Sequence, residues 1–130
     1  MDYKESLEEL EKTVLELREE NKTVPILVEG KKDIKALHKL GIQGKIVSYN
    51  KGMSISNFCD MISRKYKDII LLLDWDRKGG FLCFAIRKNL EGRVKYNTKY
   101  RELFAKRSMI RTVEGLPSWI NTLKKKVDPD

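Results

Sequence analysis

The sequence has few of the residues that build disulfide scaffolds, zinc sites and histidine-based catalytic centres. It contains one histidine, His38, and two cysteines, Cys59 and Cys83, with no CxxC pair. A zinc site or a catalytic triad would therefore lack its usual residues, and we predict that both cysteines are small buried thiols on helices. No apolar run approaches the roughly 20 residues of a membrane span. The longest, Ile69 to Leu73, has the length of a strand.

Charge is distributed unevenly along the chain. Residues 1–22 carry eight acids and four bases, a net charge of −4, whereas residues 23–130 carry eleven acids and twenty-three bases, a net charge of +12. A compact body with this excess favours polyanionic partners, and we expect RNA or DNA. A soluble basic protein without such a partner is the alternative. Because the N-terminus is acidic and amphipathic rather than signal-like, we expect a cytoplasmic protein with no membrane partner.

Residues 1–22 have the pattern of an amphipathic helix. Apolar side chains recur at spacings of 4, 3, 4 and 3, and the remaining faces carry mainly Glu and Lys; the stripe consists of Tyr3, Leu7, Leu10, Val14 and Leu17. The helix is predicted to pack either on the body of the domain or on another chain, as a homodimer or with a protein partner. Two and a half heptads are short for a free coiled coil, which favours packing on the body.

Residues 23–130 alternate short apolar runs with helical patterns and contain no linker. We predict strands at 24–28, 46–49, 69–73, 93–96 and 109–113, and helices at 33–40, 54–66, 81–89, 98–106 and 117–126. Such alternation is typical of βαβ units and a parallel sheet. The prediction is one globular α/β domain, a Rossmann-like open parallel sheet of about four strands with helices on both faces.

Acidic residues stand at the ends of two predicted strands. Glu29 ends the first strand, Asp74 ends the third, and Asp76 follows two residues later. Functional residues gather outside the carboxyl ends of parallel strands, so neighbouring first and third strands would bring the three acids together. Two carboxylates ~5 Å apart repel by roughly 3 kcal/mol at an effective dielectric near 20. A hard cation would neutralise them, and Mg²⁺ is the best match for so few carboxylates.

Two other arrangements would also relieve this repulsion. A raised pKa would keep Glu29 protonated and equip it for general acid work. Alternatively, the acids could form structural ion pairs with the neighbouring bases, namely Lys31, Lys32, Arg77 and Lys78.

The acids occur within two motifs that gain specificity from their combination. A strand runs into Glu29-Gly30-Lys31-Lys32-Asp33, and about forty residues later another strand runs into Asp74-Trp75-Asp76-Arg77-Lys78-Gly79. This combination resembles the Toprim signature, hhhhEGxxD followed by hhhDxDxxG, over roughly residues 24 to 113. The first motif looks closest to the ribosomal-RNA maturase and bacterial primase branches of the Toprim family.

The resemblance implies a role for each matching residue. It implies that Glu29 is the general acid or base and also faces the metal. It implies that Asp74 and Asp76 hold Mg²⁺, for which Mn²⁺ could substitute. Four residues match the supporting positions of the family's motifs and turns: Gly30, Asp33, Gly52 and Gly79.

Basic residues surround both motifs. We predict phosphate or nucleic-acid binding by five of them: Lys31, Lys32, Lys51, Arg77 and Lys78. A second basic cluster has aromatic residues interleaved, which suits either base stacking or a solvated helix face over core aromatics; it comprises Lys99, Arg101, Lys106, Arg107 and Arg111, with Tyr96, Tyr100 and Phe104.

The expected function is Mg²⁺-dependent phosphodiester chemistry on nucleic acid, with nucleolytic cleavage of the RNA-maturase type preferred. The alternatives are a non-catalytic module that binds metal and nucleic acid for a partner protein, and a nucleotide phosphotransferase. Topoisomerase or primase activity is not expected, since the sequence shows no strand-passage domain and no primase zinc module.

Overall fold

Strands and helices alternate along most of the chain. The computed structural model describes residues 2–130, in which the elements are α1 (Tyr3–Asn21), β1 (Ile26–Val28), α2 (Lys31–Lys39), β2 (Ile46–Ser48), α3 (Ile55–Lys65), β3 (Asp68–Leu71), α4 (Arg77–Leu90), β4 (Lys95–Asn97), α5 (Lys99–Arg107) and α6 (Leu116–Val127). Within this part of the chain, every helix is too short or too polar to cross a lipid bilayer.

The four strands form one sheet in the order β2-β1-β3-β4. All three pairings are parallel, and Ile26 of β1 lies between Ile46 of β2 and Ile70 of β3. The predicted open parallel sheet with adjacent first and third strands is therefore confirmed. This adjacency places the residues that follow β1 and β3 at one edge of the sheet.

Helices cover both faces of the sheet because its two central strands are apolar on both sides. Alternate residues of β1, and of the apolar run from Ile69 to Leu73 that includes most of β3, point into two separate cores. One core contains Ile26, Val28, Ile70 and Leu72 with side chains of α1, α2, α5 and α6. The other contains Leu27, Ile69, Leu71 and Leu73 with side chains of α3 and α4. Cys59 and Cys83 are free thiols buried in this second core, as predicted.

The N-terminal helix packs on the body of its own chain, against α5 and α6. Asp2 caps it by accepting a hydrogen bond from the Glu5 amide. Four of the five stripe residues, Leu7, Leu10, Val14 and Leu17, are buried in the first core, whereas Tyr3 remains 40% exposed. The stripe is thus used within the chain and is not free to pair with a second copy. A partner at another face of α1 stays a prediction.

The predicted strand at residues 109–113 is wrong. This segment is an irregular connection between α5 and α6, and it hydrogen-bonds to the residues that follow β3 rather than extending the sheet. The Trp75 amide donates to the Arg111 carbonyl, and the Trp75 indole donates to the Ile110 carbonyl. Its apolar residues do not pair with a neighbouring strand; Val113, for example, is buried in the core.

The helix predicted at 81–89 begins earlier than expected, at Arg77, because Asp76 caps it.

Candidate metal and phosphate site

Three acidic side chains meet at the carboxyl edge of the sheet. Glu29 directly follows β1, Asp74 lies in the turn after β3, and Asp76 is the N-cap of α4. One carboxylate oxygen of each lies within 4.8 Å of the other two. The adjacency of β1 and β3 therefore creates a cluster of three acids from positions far apart in the sequence.

Backbone and side-chain hydrogen bonds hold the two aspartates in place. Asp74 Oδ1 accepts a hydrogen bond of 2.9 Å from the Val113 amide, and Asp76 Oδ1 accepts one of 2.7 Å from the Gly79 amide. Arg101 donates from Nε to the Leu73 carbonyl at 3.1 Å and from Nη2 to the Asp74 carbonyl at 2.9 Å. Each aspartate thus keeps its second oxygen free of these bonds.

Glu29 carries a buried oxygen that has no hydrogen-bond partner among the described residues. That atom is Oε1. Burial raises the pKa of Glu29 to about 7, and the negative charges of Asp74, Asp76 and Asp33 add to the shift. An unpartnered buried carboxylate oxygen is costly, and a proton or a cation at this position would remove the cost.

Asp33 is a fourth acid at the edge of the cluster. Its carboxylate is buried and accepts a 3.0 Å hydrogen bond from the Gly30 amide, which fixes the first turn of α2. Burial and the negative charge of Asp74 raise the pKa of Asp33 to about 6. Glu114, an exposed acid beside Asp33, also belongs to this surface. No motif marks Glu114 in the sequence, because only the irregular segment before α6 brings it here.

Basic side chains line the cleft above the acids. The cleft has a volume of about 220 Å³ and is lined by Glu29, Gly30, Lys31, Lys32, Asp33, Lys51, Asp74 and Glu114. Arg77 and Lys78 are exposed at the start of α4. Within residues 2–130, none of these five predicted phosphate-binding residues forms an ion pair, whereas other bases do. The alternative in which they neutralise the acids through ion pairs therefore has no support.

The three acids have the chemistry that a small divalent cation requires. Carboxylate oxygens are the preferred ligands of Mg²⁺ and Mn²⁺, and Mg²⁺ usually binds through one or two carboxylates while keeping several waters. One carboxylate oxygen from each of Glu29, Asp74 and Asp76 contributes to such a donor set, and Oε1 of Glu29 has no hydrogen-bond partner among residues 2–130. The residues present fit a divalent metal ion.

The family model of the Toprim domain matches residues 24–106. This chain belongs to the Toprim family. The match covers the sheet and the acid cluster, and it ends before α6.

Relatives of this Toprim protein occur in archaea. A UPF0292 protein of Thermoplasma volcanium is 42% identical over 102 residues, which cover 78% of this chain and 86% of the relative. A UPF0292 protein of Methanocaldococcus jannaschii is 38% identical over 120 residues, which cover 90% of this chain and 94% of the relative. A solved structure of an Aquifex aeolicus protein superposes with a TM-score of 0.68 at 28% identity, covering 79% of this chain and 94% of that one.

The second basic cluster of the Toprim domain has a largely structural environment. Lys99 pairs with Glu16 at 3.5 Å and Arg107 pairs with Glu9, so these bases connect α5 to the acidic helix α1. Arg101 supports the backbone at Asp74, as described above. Tyr100 and Phe104 are buried. The alternative of a helix face over core aromatics is therefore the better description of α5.

The glycines that match the Toprim motifs and turns differ in how strictly the structure requires glycine at their positions. A Cβ atom at Gly79 would lie 2.1 Å from the Asp74 carbonyl oxygen, so only glycine lets the first turn of α4 approach the strand end. A Cβ atom at Gly30 would meet nothing within 4 Å. The Gly52 amide donates to Asn50 Oδ1 at 2.9 Å in the turn after β2.

We expect Gly79→Ala to lower the free energy of unfolding by about 1–3 kcal/mol, because α4 must move away from Asp74 to avoid overpacking. Urea denaturation followed by circular dichroism measures the effect. Gly80→Ala is the matched control, since its added Cβ would lie no closer than 3.7 Å to another group, the Arg101 guanidinium. That variant should be neutral or slightly stabilising within the helix. Equal destabilisation by both substitutions would contradict this interpretation of Gly79.

Proposed function

We propose that this Toprim protein carries out Mg²⁺-dependent phosphodiester chemistry on nucleic acid, with RNA cleavage of the maturase type as its reaction. The observation that carries the proposal is the cluster of Glu29, Asp74 and Asp76, in which a buried Glu29 oxygen has no hydrogen-bond partner among residues 2–130. Exposed lysines that form no ion pair within the described part of the chain lie at the same cleft, so acids for a metal and bases for phosphate occur together.

Asp74 and Asp76, together with Glu29, are the residues that would hold Mg²⁺ or its substitute Mn²⁺. When bound, the ion supplies Lewis-acid polarisation of the phosphate and neutralises negative charge in the transition state. Asp74 and Asp76 are suited to this task because their positions are fixed by the Val113 and Gly79 amides, which reduces the cost of ordering them.

Glu29 is the residue that would transfer the proton. In the metal-free site its pKa is raised to about 7, so this carboxyl group is able both to accept and to release a proton near neutral pH. As a base it would take the proton of the attacking water or hydroxyl, and as an acid it would protonate the leaving oxygen. Either step needs the carboxyl group at the cleft surface, which its position after β1 provides.

The bases of the cleft would orient the phosphodiester. Lys31 and Lys32 are the first residues of α2, where free backbone N–H groups and the helix dipole also favour a phosphate. Lys51 approaches from the loop after β2 and lines the same cleft. Arg77 and Lys78 extend the basic surface to the start of α4. Together they would counter the negative field that five nearby acids create.

The same residues would also serve a non-catalytic module that holds metal and nucleic acid for a partner protein, or a nucleotide phosphotransferase. Labelled single-stranded and duplex RNA and DNA, incubated with the protein in Mg²⁺ or EDTA, test the proposal. We expect cleavage in Mg²⁺ that EDTA abolishes, and RNA should be the better substrate. Salt-sensitive binding without cleavage would contradict the enzyme and favour the module. Turnover of nucleotides alone would favour the phosphotransferase.

Asp76→Asn is the informative variant in this assay, because asparagine remains a good N-cap for α4 while losing the charge. Asp68→Asn is its matched control, since Asp68 begins β3 at the opposite end of the strand. The account predicts that Asp76→Asn abolishes cleavage and that Asp68→Asn retains it. Equal activity of both variants would exclude the acid cluster as the active site.

A further inference from the structure

The helix that begins at the acid cluster carries an exposed stripe of aromatic and basic side chains. This surface, which we call the α4 stripe, consists of Arg77, Phe81, Phe84 and Lys88. Their spacings of 4, 3 and 4 place them on one face of the helix. Phe81 is 67% exposed and Phe84 is 59% exposed. Two large aromatic rings in consecutive turns at the surface indicate an interaction site more than a packing role.

Each ring of the α4 stripe lies next to a cation. The Arg77 guanidinium is 5.8 Å from the centroid of the Phe81 ring, and the Lys88 ammonium is 5.5 Å from that of Phe84. The whole helix carries four bases, Arg77, Lys78, Arg87 and Lys88, and no acid. A partner for this surface must therefore offer flat apolar groups and negative charge together, which unpaired nucleotides do.

The α4 stripe is continuous with the acid cluster. Asp76 caps α4, and Arg77 is the next residue. From Arg77 to Lys88 the helix rises about 16 Å at 1.5 Å per residue. That length matches roughly five stacked nucleotides at 3.4 Å each. A strand lying along the stripe would thus have one end at the three acids.

We propose that the α4 stripe binds a single-stranded segment of the nucleic-acid substrate. Bases stack on Phe81 and Phe84, phosphates contact Arg77 and Lys88, and the strand leads into the acid cluster. This inference rests on the proposed function only in taking nucleic acid as the substrate. An unpaired strand is required because the flat faces of the bases inside a duplex are already stacked on one another.

A second copy of this chain is a poorer occupant of the stripe. In a two-fold dimer the same surface would face itself, so Arg77 and Lys88 of one stripe would approach the same two bases of the other. No acid on α4 compensates them. Charge complementarity therefore favours a polyanion.

Binding of fluorescein-labelled single-stranded and duplex RNA in EDTA, measured by anisotropy, tests the α4 stripe without requiring catalysis. We expect the double variant Phe81→Ala, Phe84→Ala to bind the single strand at least about thirtyfold more weakly, since each lost stack costs roughly fivefold or more. Affinity for the duplex should change less than about threefold. Phe81→Trp with Phe84→Trp should retain single-strand binding, and Phe81→Leu with Phe84→Leu should lose it, because leucine is apolar but cannot stack.

Leu15→Ala is the matched control, because Leu15 is an apolar side chain of α1 that is 56% exposed. It should bind both nucleic acids like the wild type. Wild-type affinity in the double alanine variant would overturn the inference, and so would full retention by the leucine variant. A wild-type dimer that the alanine substitutions convert to a monomer in sedimentation would also overturn it. If this binding test fails, Mg²⁺-dependent cleavage can still be observed and the proposed function stands. If the protein binds single strands selectively but does not cleave them, the proposed reaction is contradicted and the α4 stripe is not.

Discussion

Glu29→Gln should lower the rate of magnesium-dependent cleavage by about 10²–10⁴-fold, the usual contribution of a positioned general acid or base. Glutamine keeps the size and one oxygen of the side chain but is unable to exchange a proton. Metal binding should fall much less, since Asp74 and Asp76 remain. Single-turnover cleavage with saturating Mg²⁺ measures the chemical step separately from binding.

The pH dependence of the same reaction separates proton transfer from a structural effect. In the metal-free site the pKa of Glu29 is raised to about 7, and bound Mg²⁺ favours its charged form. Wild-type activity should therefore show a pH transition below that value, and the residual activity of Glu29→Gln should lack it. Asp68→Asn serves again as the control, with a wild-type profile. A Glu29→Gln enzyme with nearly full activity, or with the wild-type pH profile, would contradict a proton-transfer role for Glu29.

Without a divalent metal, the protein should lose stability as the pH rises from about 4 to about 8. Burial and neighbouring charges raise the pKa of Glu29 from 4.5 to about 7 and that of Asp33 from 3.8 to about 6. The folded state therefore holds more protons than the unfolded state. This stabilisation is complete below the unfolded pKa values and is lost as the pH passes through the folded ones. For Glu29, allowing for solvent screening, the loss is on the order of 2 kcal/mol.

Mg²⁺ should reverse this loss above pH 7, because it binds the deprotonated acids of the folded state. Thermal melting at pH 5 and pH 8, in EDTA and in Mg²⁺, measures both effects. The wild type should melt lower at pH 8 in EDTA and regain stability in Mg²⁺. Asp76→Asn should lose most of the magnesium effect and melt no lower than the wild type in EDTA, since it removes a repulsive charge and keeps the cap.

A lower melting temperature on removal of an acid in EDTA would identify the acids as structural partners of the nearby bases. In that case Asp74→Asn and Asp76→Asn would both lower the melting temperature in EDTA, and Mg²⁺ would have no effect on the wild type. Lower stability at pH 5 than at pH 8 in EDTA would separately contradict the raised pKa values.

Much of the fold could be predicted because local patterns determine it. The apolar runs at Ile26–Val28 and before Asp74 are buried on both faces, and the intervening helices are amphipathic, so a parallel sheet is the arrangement that satisfies both. The position of Glu29 and Asp74 at strand ends follows from the same pattern, since neighbouring parallel strands end at one edge.

The parts that could not be predicted depend on tertiary contacts. Residues 109–113 have the composition of a strand, but they serve to orient Trp75 and Asp74 through hydrogen bonds. Arg101 belongs to a basic cluster whose sequence suits either base stacking or a solvated helix face, whereas in the structure it supports the backbone at Asp74. Glu114 joins the acidic surface only because of the irregular segment before α6. None of these roles has a sequence period or a spacing that would indicate it.

A titration with Mn²⁺ followed by electron paramagnetic resonance tests the three-acid site most directly, because it reports bound metal without requiring a substrate. The signal of free Mn²⁺ should fall saturably with wild-type protein and with Asp68→Asn, and Mg²⁺ should compete. Asp74→Asn and Asp76→Asn should leave the free Mn²⁺ signal nearly unchanged, and Glu29→Gln should lie between. Equal Mn²⁺ binding by wild type and Asp76→Asn, or no saturable binding by wild type, would contradict a metal site formed by Glu29, Asp74 and Asp76.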